Sequence, residues 1–249
     1  AGLVHCTAGE EMTQARRWIG HDRVRVAPLL FDLSSFRDLP GPEPALARIP
    51  SAARDATRLL FLSRLHPIKR LELVIDALAI LTRSQPDAPH LIVAGTAEDP
   101  AYERSLRERA AAAGLAERVH FIGFISGLEK VSLYQACDLF IVPSGHENFG
   151  YVHFEALAAG TPALVTRGVQ TWSELVATGG ADLVEDSAEA IARAIPPRLT
   201  SGKSAMGAAR DATFATLDAD RVSRLYAGMY DAAREHSPNP RQAPAPATR

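Results

Sequence analysis

The sequence predicts a doubly wound α/β fold with a parallel sheet, over roughly residues 58–198. Short, continuous apolar runs, which are typical of strands buried on both faces, alternate with segments that show the periodicity of helices. Strand–helix alternation at this spacing is typical of a parallel sheet covered by helices. No internal repeat is evident along the chain.

Each predicted strand is an apolar run bounded by glycine, proline or polar residues. The predicted strands are 59–62, 90–95, 119–123, 139–142, 163–166 and 181–184. A helix is predicted over 69–83, where aliphatic residues form one stripe, and a charged helix over 102–113 is stopped by Gly114. Further helices are predicted over 128–136, 151–159 and 172–177.

Four segments flank this domain. Residues 1–32 are expected to hold a helix over 8–19 and a strand over 23–27. The proline-rich residues 33–57 are expected to form a linker. Residues 199–236 are expected to be C-terminal helices, and residues 237–249, made of Pro, Ala and polar residues, a disordered tail.

The composition excludes several classes of protein. With 249 residues, 47% of them hydrophobic, the chain is long and apolar enough for a full core. The net charge of −2 argues against a nucleic-acid binder that depends mainly on phosphate contacts. No apolar run approaches the roughly 20 residues of a membrane span. Cys6 and Cys137 fit a reduced compartment, so the cytoplasm is the expected location.

Polar residues and glycines follow the first four predicted strands, in the segments 63–69, 95–96, 123–125 and 144–150. Because the carboxyl ends of parallel strands meet at one rim, we expect these segments to converge. The rim then holds cations, several glycines and a carboxylate. This set suits a phosphorylated ligand that also carries hydroxyl groups.

Arg64 and Lys69 supply the positive charge of this rim. A cation near a helix N-terminus opposes the helix dipole, so the arrangement is better explained by an anion bound between the two side chains. The alternative is a pair of surface cations that flank a turn.

Glu147 and Glu155 lie eight residues apart. Gly150, at the start of the following helix, lets a ligand approach the backbone closely. Glu155 has apolar neighbours on a helix that is expected to be buried, where a lone carboxylate is costly. We therefore favour a role in gripping vicinal hydroxyls over a solvated position on the helix surface.

The segment from Pro143 to Gly150, continued by Glu155 to Pro162, resembles the E-x7-E signature of the family 4 retaining glycosyltransferases, which are GT-B enzymes that use nucleotide sugars. Two further segments, 63–69 and 123–126, resemble companion motifs at the expected order and distance. The resemblance extends over about residues 6–230. The chain departs from the family pattern at Ser63, where Gly is usual, and at residues 28–32, which lack the usual Gly.

The resemblance implies a role for each matching residue. Glu147, Arg64 and Lys69 are the candidate catalytic residues: the carboxylate would contact the donor sugar, and the cations would neutralise the diphosphate leaving group. Glu155 would hold the ribose. The candidate substrate-binding residues are Gly95, Phe124, Ile125, His146, Asn148, Phe149, Gly150 and Glu155. Among them, the backbone of residues 124–125 would contact the base and the amides of 148–150 the sugar and diphosphate.

The resemblance also implies a Rossmann-like, C-terminal half of a GT-B architecture. Residues 1–32 would then be the remnant of an N-terminal acceptor domain, and the chain, which opens without Met, a piece of a longer protein that transfers sugar poorly alone. The implied partners are a nucleotide sugar, an acceptor that is a glycan, a lipid or a small molecule, and the N-terminal domain. Through that domain the protein would associate with the inner face of the membrane.

We predict no metal site and no cofactor other than the donor substrate. Asp218-Ala219-Asp220 matches a D-x-D metal motif, but it precedes an amphipathic run and is better explained as a helix cap. His146 and His153 flank Glu147 without the spacing of a zinc motif. Trp172 and Cys137 are expected to be packing residues.

Two other functions remain open at this point. The chain could be a noncatalytic module that binds nucleotide sugars or another protein. It could also be an epimerase of GT-B type that acts on nucleotide sugars, which requires a different set of acidic and histidine residues. The combination of Arg64, Lys69, Glu147 and Glu155 favours a site that is in use over a purely structural remnant.

Overall fold

The computed structural model of the chain describes residues 3–19, 21–85 and 87–236. Two parallel strands near the N-terminus, β1 (Val4–Cys6) and β2 (Val24–Val26), form a small sheet. Six parallel strands form the main sheet. They are β3 (Arg58–Leu62), β4 (His90–Ala94), β5 (Val119–Gly123), β6 (Leu139–Ile141), β7 (Ala163–Val165) and β8 (Ala181–Leu183).

Helices connect and cover these strands. In chain order they are α1 (Gly9–Ala15), α2 (Glu43–Leu46), α3 (Ser51–Arg54), α4 (Leu71–Ser84), α5 (Pro100–Ala112), α6 (Gly127–Ala136), α7 (Tyr151–Ala158), α8 (Trp172–Ala177), α9 (Ala188–Ser201), α10 (Met206–Thr216) and α11 (Ala219–His236). The doubly wound parallel sheet and its alternation with helices are therefore confirmed, and the predicted strand ends agree within about one residue.

The order of the main sheet is β5-β4-β3-β6-β7-β8. The chain moves outward from β3 to β5, crosses back, and then moves outward in the opposite direction from β6 to β8. The strand order therefore reverses between β3 and β6. In open α/β sheets such a reversal leaves a crevice at the carboxyl ends of the two strands, where ligands bind.

The main sheet forms the centre of the hydrophobic core. All five residues of β4 are buried, as are Leu59, Leu60 and Phe61 of β3. Helix α4 packs against both α5 and α9, and α7 packs against both α6 and α10. Because both faces are covered, the strands carry the continuous apolar runs that predicted them.

The N-terminal segment is attached to the main domain. The backbone N–H of Gly9 donates to Oε1 of Glu174 at 2.8 Å, which ties α1 to α8. The strand predicted over 23–27 is present as β2. The helix predicted over 8–19 ends at Ala15 and continues as turns, and β1 was not predicted.

Residues 33–57, expected to form a linker, are instead folded against the main domain. They contain a 3₁₀ turn at Ser34–Phe36 and the helices α2 and α3. Phe36, Ala45 and Ile49 are buried in the main core, and the backbone N–H of Ala45 donates to Oγ of Ser132 on α6 at 3.0 Å. Pro42 and Pro50 cap the starts of α2 and α3, and Pro44 lies in the first turn of α2, where a missing N–H costs little.

The C-terminal helices begin later than expected. Helix α9 runs through residue 198, where the domain boundary was placed, so this boundary lies inside a helix. The tail predicted over 237–249 lies outside the described residues. Within the described part of the chain, every helix is too short or too polar to cross a lipid bilayer.

The packing of residues 33–57 makes a stability prediction. Ile49 is 1% exposed, so Ile49→Ala should leave a cavity and lower the free energy of unfolding by about 2–4 kcal/mol. Urea unfolding followed by circular dichroism measures this change. Leu30→Ala is the control, because Leu30 is 58% exposed and its removal should cost less than about 0.5 kcal/mol. Equal effects of the two substitutions would show that the segment is a free linker.

Candidate active site

The candidate site lies where the strand order reverses, at the carboxyl ends of β3 and β6. We call residues 144–150, which join β6 to α7, the site loop. It lies between the β3–α4 connection and the segment that follows β7. The loop has little regular structure, so its polar backbone groups depend on these two neighbours.

Backbone hydrogen bonds fix the site loop from both sides. On one side the N–H of Gly145 donates to the carbonyl of Ile68 at 2.7 Å. On the other side the N–H of Glu147 donates to the carbonyl of Gly168 at 2.8 Å, and Glu147 pairs with Val169 as an isolated parallel bridge. Gly168 permits this contact, because a Cβ there would lie 2.1 Å from the carbonyl oxygen of Ser144.

Two buried threonines complete the support of the loop. The hydroxyl of Thr166 donates to the carbonyl of Ser144 at 3.1 Å, and the hydroxyl of Thr171 donates to the carbonyl of Phe149. Both hydroxyls are buried, so these bonds satisfy groups that water does not reach.

Glu147 and Lys69 form an ion pair across the crevice. Both side chains are largely buried, at 25% and 12% exposure. Burial alone would raise the pKa of Glu147, but the hydrogen bond from Lys69 and its charge outweigh burial, and the pKa lies below its ordinary value. Glu147 is therefore a carboxylate at neutral pH, and the two residues that the sequence assigned to this chemistry are in contact.

His153 lies behind Glu147, fully buried on α7, and packs edge-on against Phe140 with the ring centroids 5.2 Å apart. Burial lowers the pKa of His153 to about 4, and the nearby charge of Glu147 only partly opposes this effect. Neither ring nitrogen has a hydrogen-bond partner within the described residues, although the backbone of Val142 and Gly150 lies close to the ring. His153 is therefore neutral at pH 7.

Gly150 begins α7 with a left-handed backbone, at φ 74°. A Cβ at this position would lie 2.8 Å from Cγ1 of Val169 and 3.1 Å from Nδ1 of His153. Both the conformation and the close packing thus require glycine. The side chain of Phe149 is buried against Phe154, so only its backbone remains for a ligand.

Glu155 is buried on α7 and keeps both carboxylate oxygens occupied. Nζ of Lys130 donates to Oε1 at 2.7 Å, and the hydroxyl of Tyr134 donates to Oε2 at 2.9 Å. Burial, followed by the charge of Glu155, raises the pKa of Tyr134, so its hydroxyl keeps its proton and remains a donor. The costly lone carboxylate expected from the sequence is in fact paired.

A cavity of about 570 Å³ opens beside this network. The residues that line it include Ser63, Arg64, Gly95, Thr96, Phe124, Ile125, Ser126, Lys130 and Val152. The structure therefore brings Gly95, Phe124 and Ile125 together, as predicted. Gly95 has φ 133°, and a Cβ there would lie 1.9 Å from the carbonyl oxygen of Ser63, so only glycine allows the two connections to meet.

The remaining predicted residues lie at the edge of the site. Arg64 lines the cavity but is 67% exposed and forms an ion pair with Glu98 at 2.9 Å rather than with the site loop. His146 and Asn148 are exposed on the site loop.

The residues for which the sequence predicted a capping or packing role have such contacts in the structure. Oδ1 of Asp218 accepts the N–H of Arg221 at 2.7 Å, as a helix cap does. Cys137 is fully buried, and burial raises the pKa of its thiol to about 12. Trp172 packs under the guanidinium of Arg167. In the described part of the chain, no three His, Cys, Asp or Glu side chains are placed to hold a metal ion.

The sequence analysis did not identify Lys130, Tyr134 or the role of His153. Lys130 and Tyr134 lie four residues apart on a predicted helix, so they share one face, and this spacing was the available signal. Their partner Glu155 belongs to a different helix, and no local pattern reveals that contact. Of the lysines and carboxylates in this region, Lys130 is the one that lines the cavity beside Glu155.

The burial of His153 makes a pH prediction. The unfolded chain binds a proton at this residue below about pH 6.5, whereas the folded chain binds it only near pH 4. Stability should therefore fall as the pH decreases from 7 to 5, by about 2 kcal/mol from this group. Urea unfolding at several pH values measures the slope.

His153→Asn is the comparison that isolates this group, because His90 and His120 also have lowered pKa values and contribute in the same direction. The variant should show a shallower loss of stability between pH 7 and pH 5. The stability that Glu147 contributes is present above its ordinary pKa and is lost only as the pH falls toward its lowered pKa, so it changes little between pH 7 and pH 5. Parallel slopes for the parent and the variant would contradict the neutral state of His153.

Comparison with known proteins identifies the family of this chain. The family model of the "Glycosyl transferases group 1" matches residues 45–211. The lipopolysaccharide core biosynthesis mannosyltransferase LpsB of Rhizobium meliloti is 35% identical over 181 residues, which are 68% of this chain and 49% of that protein. A D-inositol 3-phosphate glycosyltransferase of Stackebrandtia nassauensis is 32% identical over 90% of this chain and 52% of that protein.

Solved structures share the fold. HepE of Anabaena, in complex with UDP and glucose, matches with a TM-score of 0.75 and 23% identity over 93% of this chain and 63% of that one. Sucrose-phosphate synthase of Thermosynechococcus elongatus matches with a TM-score of 0.77 and 24% identity over 94% of this chain and 59% of that one. At this identity the likeness concerns the fold, which is that of GT-B glycosyltransferases.

The chain spans about half the length of LpsB and of the inositol phosphate glycosyltransferase. The family match covers most of the main domain, including the site loop, the cavity and both glutamates of the E-x7-E pattern. The resemblance noted from the sequence is therefore confirmed: this chain belongs to the glycosyl transferases of group 1 and has the Rossmann-like fold of the C-terminal half of a GT-B enzyme.

Proposed function

We propose that the chain binds a nucleoside diphosphate sugar in the crevice between β3 and β6 and, within a longer glycosyltransferase, passes the glycosyl group to an acceptor with retention of configuration. The observation that carries this proposal is the placement of two lysine–carboxylate pairs: Lys69–Glu147 lies at the reversal of strand order, and Lys130–Glu155 lies at the cavity. Each pair matches a different part of such a donor.

The nucleoside occupies the cavity in this proposal. Phe124 is 68% exposed there and offers an apolar face to a base. Lys130 faces the cavity and Glu155 lies directly behind it, so the pair offers a donor and an acceptor to the two hydroxyls of a ribose. Tyr134 holds the second oxygen of Glu155 and thereby fixes the carboxylate.

The diphosphate lies near Lys69 and the start of α7. Lys69 is already held in place by Glu147, and α7 begins after Gly150 at the end of the site loop, where its free amides carry the positive end of the helix dipole. Arg64 would leave Glu98 to join them. As the bond from the sugar to the diphosphate breaks, these groups stabilise the charge that develops on the leaving group.

The donor sugar lies against the site loop. The carboxylate of Glu147 accepts hydrogen bonds from sugar hydroxyls, and the exposed His146 and Asn148 lie beside it. In the retaining reaction the bond from the anomeric carbon to the diphosphate breaks, the acceptor oxygen bonds that carbon on the same face, and the acceptor's proton passes to the departing diphosphate. The positive charge that builds on the sugar in between is stabilised by the carboxylate and the departing phosphate. No metal ion is required, since cations of the chain neutralise the diphosphate.

The acceptor is held outside this chain in the proposal, by an N-terminal domain that completes the crevice. That domain would select a glycan, a lipid or a small molecule, and it would bring the enzyme to the inner face of a membrane. This chain alone would then bind the donor and transfer little or no sugar. The names of two relatives, a lipopolysaccharide core biosynthesis mannosyltransferase and a D-inositol 3-phosphate glycosyltransferase, support a choice of acceptor outside the donor-binding part.

The ribose role of Glu155 predicts a loss of nucleotide affinity. Glu155→Ala should weaken the binding of UDP, GDP or ADP, whichever the parent chain prefers, by about tenfold or more, since a charge-assisted hydrogen bond is worth about 1.5–3 kcal/mol. Isothermal titration calorimetry measures the affinity. The control is Glu129→Ala. It removes a half-exposed carboxylate of helix α6, which pairs with Arg48 at 3.2 Å, and it should leave the nucleotide affinity unchanged.

Unchanged affinity of Glu155→Ala would exclude the ribose role. Glu155→Gln is a useful second variant, because it keeps the volume of the side chain and guards against a folding defect. It should fall between the parent and the alanine variant.

The diphosphate role of Lys69 predicts a loss of discrimination. The parent chain should bind a nucleoside diphosphate much more tightly than the nucleoside of the same base. In the double variant Lys69→Ala, Arg64→Ala, the ratio of the affinity for the diphosphate to the affinity for the nucleoside should fall by at least about tenfold. The affinity for the nucleoside should stay the same. Competition titrations with both ligands measure the ratio. Equal binding of nucleoside and diphosphate by the parent would rule out the anion site.

A further inference from the structure

Arg70 has an unusual backbone. It is the one non-glycine residue with a positive φ in the described part of the chain, at φ 54° and ψ 45°, and it caps the start of α4. This left-handed conformation is strained for a residue that carries a Cβ. Strain of this kind persists where the surrounding structure determines it, and it is found often at functional sites.

The side chain of Arg70 lies against the site loop. An ideal Cβ added to Gly145 would lie 2.8 Å from Cζ, Nε and Nη2 of Arg70, so the guanidinium packs directly on the glycine backbone. Gly145 lies two residues before Glu147. Its N–H is held by the carbonyl of Ile68 in the same β3–α4 connection that carries Arg70.

The guanidinium also reaches a third connection. Nη1 donates to Asp186, which lies between β8 and the start of α9. The two side chains are 36% and 48% exposed, so the ion pair adds little to overall stability. Stability alone therefore gives no reason for a strained arginine at this position.

We propose that Arg70 is a positioning residue that clamps the site loop between the β3–α4 and β8–α9 connections. By holding the loop at Gly145, it fixes Glu147 in the position where that carboxylate meets Lys69. Its consequence for donor binding rests on the proposed function: the clamp should matter for the sugar, which the site loop contacts, more than for the nucleotide.

Three variants test the clamp. Arg70→Ala and Arg70→Gly both remove the guanidinium, but only glycine relieves the backbone strain. The matched control is Arg109→Ala, which removes a half-exposed arginine that pairs with Asp76 at 2.6 Å and joins α5 to α4 away from the site.

Hydrogen exchange tests the clamp without any ligand. The amides of the site loop, including those of Gly145 and Glu147, should exchange about tenfold faster in both Arg70 variants than in the parent or in Arg109→Ala. Thermal unfolding should separate the two Arg70 variants. The Tm of Arg70→Gly should lie between that of the parent and about 2 °C above it. The Tm of Arg70→Ala should be lower than that of the parent.

Binding tests the consequence of the clamp. UDP-glucose, GDP-mannose and ADP-glucose are titrated in parallel with UDP, GDP and ADP. For the pair that the parent binds best, the affinity for the sugar nucleotide relative to the free diphosphate should fall about fivefold in both Arg70 variants and stay constant in Arg109→Ala. A general loss of stability would not produce this ratio in the stable glycine variant.

The outcomes separate the two proposals. Unchanged exchange in the site loop of both Arg70 variants overturns the clamp, and so does faster exchange with an unchanged sugar-to-diphosphate ratio. If the parent binds none of the six ligands, the proposed function fails, and hydrogen exchange alone then decides whether Arg70 holds the loop.

Discussion

The reversal of strand order between β3 and β6 is the constraint on which the rest of the site depends. At this point the helices that leave the two strands diverge, with α4 packing beside α9 and α7 packing beside α6 and α10. The loops at this point contain little regular structure, so their backbone groups find partners in one another. The site loop satisfies this requirement through Ile68 on one side and Gly168 on the other. The reversal of strand order thus explains both the crevice and the backbone hydrogen bonds that hold the site loop.

Charge is held in this crevice in balanced pairs. A buried carboxylate without a partner would take up a proton, whereas Glu147 beside Lys69 has a pKa below its ordinary value. Glu155 is enclosed further, between Lys130 and Tyr134. Each pair holds an acceptor and a cation in place before any ligand arrives. Removing one partner leaves a buried charge uncompensated, which is more costly than the pair itself is stabilising. The pairs therefore act as preorganised recognition elements.

The sequence predicted what local patterns encode. Continuous apolar runs gave the strands, and glycine spacing with Glu147 and Glu155 gave the positions at the carboxyl ends of β6 and on α7. Contacts between distant elements had no such signal. The Lys130–Glu155 pair joins two helices, and the packing of Ile49 was hidden by prolines that are typical of a linker. Arg64 shows another limit: its place in the chain puts it at the cavity, but the direction of its side chain depends on Glu98, which belongs to another connection.

The glycines of the site and Arg70 differ in what their positions require. Gly95, Gly150 and Gly168 are small where backbones meet, and any side chain there would collide with a neighbour. At Arg70 the chain needs a left-handed turn, which glycine would adopt freely, yet it carries an arginine. The conformation costs about 1–2 kcal/mol for a residue with a Cβ. A half-exposed ion pair returns about 0–1 kcal/mol. The ion pair therefore does not offset the cost of the backbone conformation. We assign the remainder to the contact of the guanidinium with Gly145, which holds the site loop where Glu147 meets Lys69.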